Sequence, residues 1–433
     1  MFDLKFIREN EKEIRESMLK RGLEIKALND ILKEDKEFRD IKERVDELRH
    51  ERNVISEKIN EAKKQDKDLR PILEKARKIP EELRSFEEKL SRLEASIALL
   101  LRRIPNILDK KVPLGKDAKH NKVIRKWGKI PKFKFKLKTH VELAEELNLC
   151  DFNASAEVAG KGFYYLKGDL ALLNQALIHF AIDFMKKKRY QYIETPLMMR
   201  AEIAAAAGDL GAFQNALYKI EGEDLYMIPT AEHAILGMLK DKTVSEEKLP
   251  IKCFGYSMCL RKEVGAHGIN EKGLWRTHQF NKVEQFVFCK QKDSSKYYDE
   301  LLKNSEEIVK KLKLPYRVFE SCAGDLSMWK MRGADIEVYR PTTGDYGELM
   351  SVSNCGIYQS RDLGIKGANN KGEKFILNTL NNTVIATSRV MVAILENFQQ
   401  ADGTVKVPSV LQKYVGKKVL GEKKKVKKKK SRK

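Results

Sequence analysis

Apolar residues recur through the first hundred positions at steps of three and four. Phe38, Ile41, Val45, Leu48, Ile55, Ile59 and Ala62 form one such series, with Arg52 at its single core position that is not apolar. After a polar stretch from Lys63 to Arg70, a second series runs Ile72, Ala76, Ile79, Leu83, Phe86, Leu90, Leu93, Ile97, Leu100, Ile104. That spacing sets the side chains on one stripe of a helix and is the seam of a coiled coil. The polar connection is too short for anything but an antiparallel return. The pattern therefore predicts a two-helix arm, each helix of roughly 32 residues reaching about 48 Å at 1.5 Å per residue. Pro80 removes one hydrogen bond from the second helix and predicts a kink that keeps the seam in phase. A generic oligomerising coiled coil has the same periodicity, but the short turn favours an arm that satisfies its own seam. Lys63, Lys64, Lys67, Arg70, Lys75, Arg77 and Lys78 crowd toward its tip. Such a face is ordinarily just solvated and could also meet a nucleic-acid backbone.

Before the arm, residues 1–30 read as a short helical segment and a break. After it, residues 105–128, with Pro105 and Pro113, read as an irregular linker. From there the pattern becomes mixed. Leu170, Leu173, Leu177, Phe180, Ala181 and Phe184 define an amphipathic helix, and Tyr190 to Met199 a strand ending near Pro196. Residues are densely apolar from Ile251 to Leu260, then alternate at Phe280, Val283, Phe286 and Phe288. These predict two half-buried strands, joined by a long, mobile connection from Lys262 to Trp275 that carries three glycines. Thr379 to Gln399 reads as a strand running into a helix, with Arg389 near the junction. The expected class is α+β: an N-terminal unit over 1–104, a linker over 105–128, a large domain over 129–416 and a disordered Lys-rich tail over 417–433.

Charge changes the picture. The formal net charge of the 433 residues is +22, and residues 417–433 hold eleven Lys or Arg against one Glu. The body stays basic without its tail, which points to a polyanionic partner. The six cysteines show no C-x-x-C pair and mostly sit in apolar surroundings, the pattern of free thiols in a reducing compartment. No signal-peptide pattern and no run of about 18 apolar residues occurs, so a soluble, cytoplasmic protein without a membrane partner is expected.

The candidate chemistry gathers around Leu260–Glu284. Arg261 and Arg276 should sit at facing strand ends, Glu263 just past the first, and Phe280 and Glu284 on one face, being four apart in a strand. Guanidinium forks match phosphate oxygens bidentately, a phenyl ring stacks on a purine, and Glu263 can accept from an exocyclic amine. A salt-bridged surface hairpin is the plain alternative. Elsewhere, Thr230 precedes a helix and can cap it, Glu232 follows two residues on, and Glu348 lies in a strand with Ser351 three residues beyond.

The stretch LRKEVGAHGINEKGLWRTHQFNKVE closely resembles the second signature motif of class II aminoacyl-tRNA synthetases, and RTHQFNKVEQF the form found in the seryl-tRNA synthetases of the cytosolic, eukaryotic-like type. The helix and strand around Pro196 resemble the first motif, and the strand and helix carrying Arg389 the third. The resemblance implies an antiparallel sheet flanked by helices, and a homodimer through the first motif. It implies ATP bound by Arg261, Lys262, Glu263, Arg276, Thr277, His278, Gln279, Phe280, Glu348, Leu349, Met350, Ser351 and Arg389, with Mg²⁺ on Glu348 and Ser351. L-serine would meet Thr230, Ala231, Glu232, Arg261, Glu284, Asn381 and Thr383. Arg261, Arg276 and Arg389 would be the catalytic set, and the arm would meet tRNA(Ser), with tRNA(Sec) an open further substrate. Leu260 stands where these motifs usually carry Phe. Class II enzymes for glycine, proline, histidine or threonine usually append an anticodon-binding domain, for which the 44 residues after Arg389 leave no room. A silent paralogue that only binds nucleic acid is the rival from outside the enzymes.

Overall fold

The computed structural model describes residues 1–65, 68–208, 216–263 and 272–421. The chain divides into two compact units, Met1–Ile107 and Leu108–Lys433.

In the first unit α1 (Leu4–Glu9) starts at Asp3, whose side chain accepts from the Phe6 N–H, and is followed by α2 (Glu11–Lys20). The arm is α3 (Lys26–Lys64, 39 residues) and α4 (Arg70–Leu101, 32 residues). α3 begins well before the first seam residue, and by its rise it is about 58 Å long. Ile41, Val45 and Leu48 of α3 close over Ile79 and Leu83 of α4, with Phe86, Leu90 and Leu93 beside them. Arg49–Glu87 (2.8 Å) and Glu37–Lys89 (2.6 Å) span the two helices. Being exposed, such pairs stabilise by about 0–1 kcal/mol each, so the apolar seam holds the hairpin. α4 runs through Pro80, which stands on its exposed side next to buried Ile79. Lys67 lies outside the described residues.

The second unit is built on an eight-stranded sheet: β1 (Lys122–Trp127), β2 (Gln191–Glu194), β3 (Ile251–Leu260), β4 (Gln279–Cys289), β5 (Tyr316–Glu320), β6 (Arg332–Arg340), β7 (Asp345–Gly356) and β8 (Asn378–Ala386). Their spatial order is β1-β5-β6-β7-β8-β4-β3-β2. Every neighbouring pair is antiparallel except β2 with β3, which is parallel. Around it lie α5 (His140–Glu146), α6 (Gly168–Lys187), α7 (Ala231–Gly237), α8 (Ser294–Lys311) and α9 (Thr387–Phe398). The apolar stripes of α6, α8 and α9 cover one face, where Leu177, Leu301 and Val392 join Val283, Val287, Ile336 and Leu380 in the main core. On the opposite face Ile235 and Leu236 of α7 cluster with Phe286 and Phe288 of β4.

Four expectations change. β4 is not half-buried but buried on both faces from Lys282 onward, because helices cover one face and α7 with the site walls covers the other, whereas β3 keeps a half-buried alternation from Tyr256 to Leu260. The stretch read as a linker contains β1, paired with β5. All six of its side chains are exposed, so it has no inward face to leave a period of two. The strand over 190–199 breaks at Thr195–Pro196, since proline has no N–H to continue a ladder. Met198–Met199 pairs instead with Tyr226–Met227. Residues 417–421, expected to open a disordered tail, are ordered: β9 (Val405–Lys406) pairs with β10 (Val419–Leu420), and Leu420 is fully buried. The Val-Leu pair inside a lysine run is what docks. The rest of the tail, and residues 264–271 of the connection expected to be mobile, lie outside the described residues. No described helix is long and apolar enough to cross a membrane, and all six cysteines are free and buried.

Candidate active site

The period of two along β4 aims Phe280, Lys282 and Glu284 at one side of the sheet and continues it into Phe286 and Phe288. One half of that face is therefore polar floor and the other half packed core. β3 and β4 stay in register to Leu260 opposite Gln279, and the Arg261 N–H donates to the His278 carbonyl (2.9 Å) just beyond. Arg261 is thus carried on the end of a rigid ladder. Its guanidinium lies 5.1 Å from the Phe280 ring centre, and its Nε donates to the Pro229 carbonyl (3.3 Å). Arg276 Nη1 meets Glu263 Oε2 at 3.3 Å. Glu263 has φ +50°, a left-handed conformation costing a non-glycine residue roughly 1–2 kcal/mol.

Glu348 and Ser351 reach one cavity only because β7 is irregular. Residues three apart in a regular strand face opposite ways. Here Ile336 opposes Met350 while Glu337 opposes Glu348, leaving Leu349 as an extra residue. This bulge re-aims the strand, and Glu348, Leu349, Met350 and Ser351 all line the same cavity.

Arg389, in the first turn of α9, donates through Nη1 to the Glu348 carbonyl (2.8 Å), pairs with Glu348 Oε2 (3.1 Å), and through Nε reaches the Trp275 carbonyl (3.4 Å). The Trp275 ring is bracketed by two guanidinium groups, Arg340 at 4.3 Å and Arg389 at 5.5 Å. Arg340 is fixed in turn by two bonds to buried Glu396, at 3.2 and 2.7 Å. Glu396 also holds His140 Nδ1 (3.2 Å), whose Nε2 accepts from the Leu274 N–H (3.1 Å). Accepting at Nε2 puts the imidazole proton on Nδ1. The return of the chain from the β3–β4 connection is thereby pinned to α9.

Two adjoining cavities result, of about 330 Å³ and about 110 Å³, sharing Arg261, Glu263, Lys282 and Ser351. The larger is lined also by Thr230, Glu232, His233, Glu284 and Asn381, the smaller by Arg276, Thr277, Phe280, Glu348, Thr383 and Arg389. Thr230 caps α7, its hydroxyl accepting from the Glu232 N–H (3.3 Å). Glu232 accepts from Asn381 Nδ2 (2.9 Å) and Gln359 Nε2 (3.2 Å). Burial, then the charge of Glu284, pushes the Glu232 carboxyl up to about 7. Burial raises Glu284 as well. His233 is pushed down to about 3 by burial and by Arg261, so it stays neutral.

Four expected residues line neither cavity. Lys262 donates its N–H to the Ala216 carbonyl (2.8 Å) and lays its ammonium over Tyr218 (5.7 Å). His278 stacks on Phe163 (5.2 Å) with Nδ1 2.8 Å from the Arg261 carbonyl, so it braces Arg261 from behind. Gln279 begins β4, and Ala231 packs in the first turn of α7. Sequence reasoning missed Lys282, whose Nζ lies 2.5 Å from Glu284 Oε2 and 3.2 Å from Thr230 Oγ1. Its position midway between Phe280 and Glu284 was the available signal. Trp275 and Gln359 were missed too.

Residues 217–398 match the family model "tRNA synthetase class II core domain (G, H, P, S and T)", and residues 1–108 match "Seryl-tRNA synthetase N-terminal domain". The serine–tRNA ligase of Methanocella arvoryzae is 43% identical over 419 residues, covering 96% of this chain and 99% of that one. The chain belongs to the seryl-tRNA synthetases. The solved seryl-tRNA synthetase of Pyrococcus horikoshii, complexed with ATP, superposes with a TM-score of 0.90 at 39% identity, covering 97% of this chain and 99% of that one. The cytoplasmic serine–tRNA ligase of Naegleria fowleri, in complex with AMP, gives 0.84 at 32% identity, covering 97% and 98%. Within this seryl-tRNA synthetase fold, Leu260 pairs with Gln279 and lines neither cavity, so its departure from the usual Phe leaves the arginine geometry untouched.

Proposed function

We infer that the chain is a serine–tRNA ligase, which activates L-serine with ATP and then passes the seryl group to the 3′ end of tRNA(Ser). The observation that carries the reading is the meeting of the two cavities at Arg261. A polar cavity with two buried carboxylates suits a small amino acid, and an arginine-lined one suits a nucleotide triphosphate. In the first step the serine carboxylate attacks the α-phosphorus, a new O–P bond forms, and pyrophosphate leaves. The attacking group is already ionised, so no general base is needed. What remains is positioning and neutralisation of charge on the phosphate oxygens. Arg261, shared by both cavities, would bridge carboxylate and α-phosphate. Arg276 and Arg389 would take the outer phosphates, and Glu263 and the Phe280 ring the adenine. Glu232, Glu284 and Thr230 would receive the ammonium and hydroxyl of serine, with Asn381 completing the pocket, Thr383 reaching Glu284 from the adjoining cavity, and Lys282 opposing the burial that raises Glu284. A pocket built to bond a hydroxyl rejects alanine by leaving its own buried groups unpaired.

The Glu348 carboxylate and Ser351 hydroxyl, brought to one wall by the bulge, are the oxygen donors that a hard cation takes, and they fit Mg²⁺. Bound with the nucleotide, Mg²⁺ would neutralise charge on the phosphates. Arg389 already pairs with Glu348, so its guanidinium would turn to the phosphates.

The arm would select the tRNA, because the family meets the long variable arm of serine tRNA by shape and backbone. A homodimer would form through α6 and residues 190–199, where Leu172, Leu197 and Met198 are 42–49% exposed beside the edge strand β2. Sedimentation at micromolar concentration giving a 49.9 kDa particle would count against that.

The test of the reading is serine-dependent exchange of pyrophosphate into ATP, followed by charging of a serine tRNA. Arg261→Ala should abolish exchange while the thermal transition stays, and near wild-type exchange in that variant would sink the assignment. No exchange in the wild type would favour a binding-only paralogue.

A further inference from the structure

Residues 122–138, KVIRKWGKIPKFKFKLK, hold eight Lys or Arg and no Asp or Glu. They lie within the catalytic unit, distinct from both the arm and the tail. The stretch opens with β1, the outermost strand at one edge of the sheet. Lysines on an edge strand often serve only to stop edge-to-edge pairing, which accounts for Lys122 and Lys126. It does not account for Lys129, Lys132, Lys134, Lys136 and Lys138, which lie past the end of the strand. Past Gly128, Lys132, Lys134 and Lys136 are exposed and alternate with half-buried Phe133, Phe135 and Leu137. The two phenyl rings meet edge to face at 5.4 Å. The apolar members anchor the segment and its lysines face water.

Of the eight, only Arg125 (to Glu306, 2.9 Å) and Lys138 (to Glu146) form ion pairs among the described residues. Glu142, near Lys136 and Lys138, is already engaged by the Thr139 N–H and hydroxyl. Trp127 and Ile130 leave 38% and 41% of their surface exposed along the same run. The far end of the run is fixed by the Gln399 side chain, which bonds both the Lys138 N–H and its carbonyl at 3.0 Å. Two residues on, His140 holds the Leu274 N–H, and Lys272 reaches Glu145 at 2.7 Å. The basic run therefore ends beside residues 272–274, which lead directly into Arg276.

We propose that residues 122–138 form a track for the phosphate backbone of the tRNA acceptor strand, leading its 3′ end toward the cavities. This rests on the ligase reading above, because transfer of the seryl group requires a polyanion to pass the mouth of the site. Unpaired lysines interleaved with aromatic residues supply charge without base reading, as a track common to every molecule of one tRNA needs.

The test is the full-length chain with Lys129, Lys132, Lys134 and Lys136 all changed to Gln, since none of these lies in the site. Exchange of pyrophosphate should be unchanged, showing an intact fold and site. The dependence of tRNA binding on log salt should flatten by about 0.7–0.9 for each phosphate that the lysines had neutralised. KM for tRNA in charging should rise by roughly tenfold or more, and the fourfold Lys→Arg variant should restore both. A minihelix carrying only the acceptor stem should show the same flattening. An unchanged slope and KM would overturn the proposal, as would a flattening seen with whole tRNA but not with the minihelix. Wild-type chain without exchange, but with a slope that still flattens in the variant, would defeat the ligase reading and leave the polyanion track standing.

Discussion

Glu232 shows how much one buried carboxyl can decide. Its folded value of about 7 lies above the ordinary 4.5, so the fold favours the neutral form. The sign follows: below about pH 4.5 the group costs nothing, and stability is lost as pH rises from there through 7. The loss is on the order of 3 kcal/mol in the ligand-free protein. A serine ammonium needs the ionised form, so binding should recover what folding gives up. The expected outcome is a serine Kd that falls about tenfold per pH unit below 7 and levels off above it, measured by calorimetry. Glu232→Gln should bind weakly at pH 8 with no such slope. A wild-type Kd flat between pH 6 and 8 would remove Glu232 from the ammonium site. Thr230 was readable as a cap because a threonine stands immediately before a helix, whereas Glu232 came only with the family resemblance. Lys282 was not, since a lysine inside a charged motif reads as surface until packing shows it to be 7% exposed.

At the scale of elements, what the periodicity carried was whatever had one buried stripe: the seams of α3 and α4, the helix α6, and the strand-to-helix passage from β8 to α9. β1 escaped because it is exposed all round, and the bulge at Leu349 because one inserted residue leaves no mark in composition. That bulge matters, since without it Glu348 and Ser351 would face apart. Gly347, next to it, is where β7 meets the return of the β3–β4 connection. A Cβ there would lie 2.4 Å from Trp275 Cζ2, closer than packing allows, and the indole is already held between Arg340 and Arg389. Gly347→Ala should therefore shift Trp275 and displace Arg389. Overpacking of this kind costs about 1–3 kcal/mol of stability. The KM for ATP in exchange should rise about tenfold, equivalent to 1.4 kcal/mol, with that for serine nearly unchanged. If the KM for ATP does not move, Trp275 does not place Arg389.

At the scale of the whole molecule, charge is divided among an arm, a catalytic unit and a tail, and the boundary of the tail decides how its role is measured. Residues 422–433 hold nine Lys or Arg and one Glu. Residues 417–421 belong to the body. Lys417 Nζ reaches Asp169 Oδ1 at 2.5 Å, the Gly421 N–H donates to Asp169 Oδ2 at 3.1 Å, and Leu420 is buried beneath the β9–β10 pair. Cutting after Gly416 therefore mixes two effects. It strips the lysines and also removes a buried leucine worth roughly 1.5–3 kcal/mol, whereas cutting after Gly421 strips the lysines alone. The shorter chain should melt a few degrees below the longer one, and the longer should melt with the wild type. Both should keep pyrophosphate exchange, since every residue lining the two cavities lies between Ala207 and Arg389. The cut after Gly421 should flatten the salt dependence of tRNA binding by about 0.7–0.9 log units for each phosphate the tail had neutralised. If that slope is the same with and without residues 422–433, the tail takes no part in holding RNA and its lysines serve some other partner.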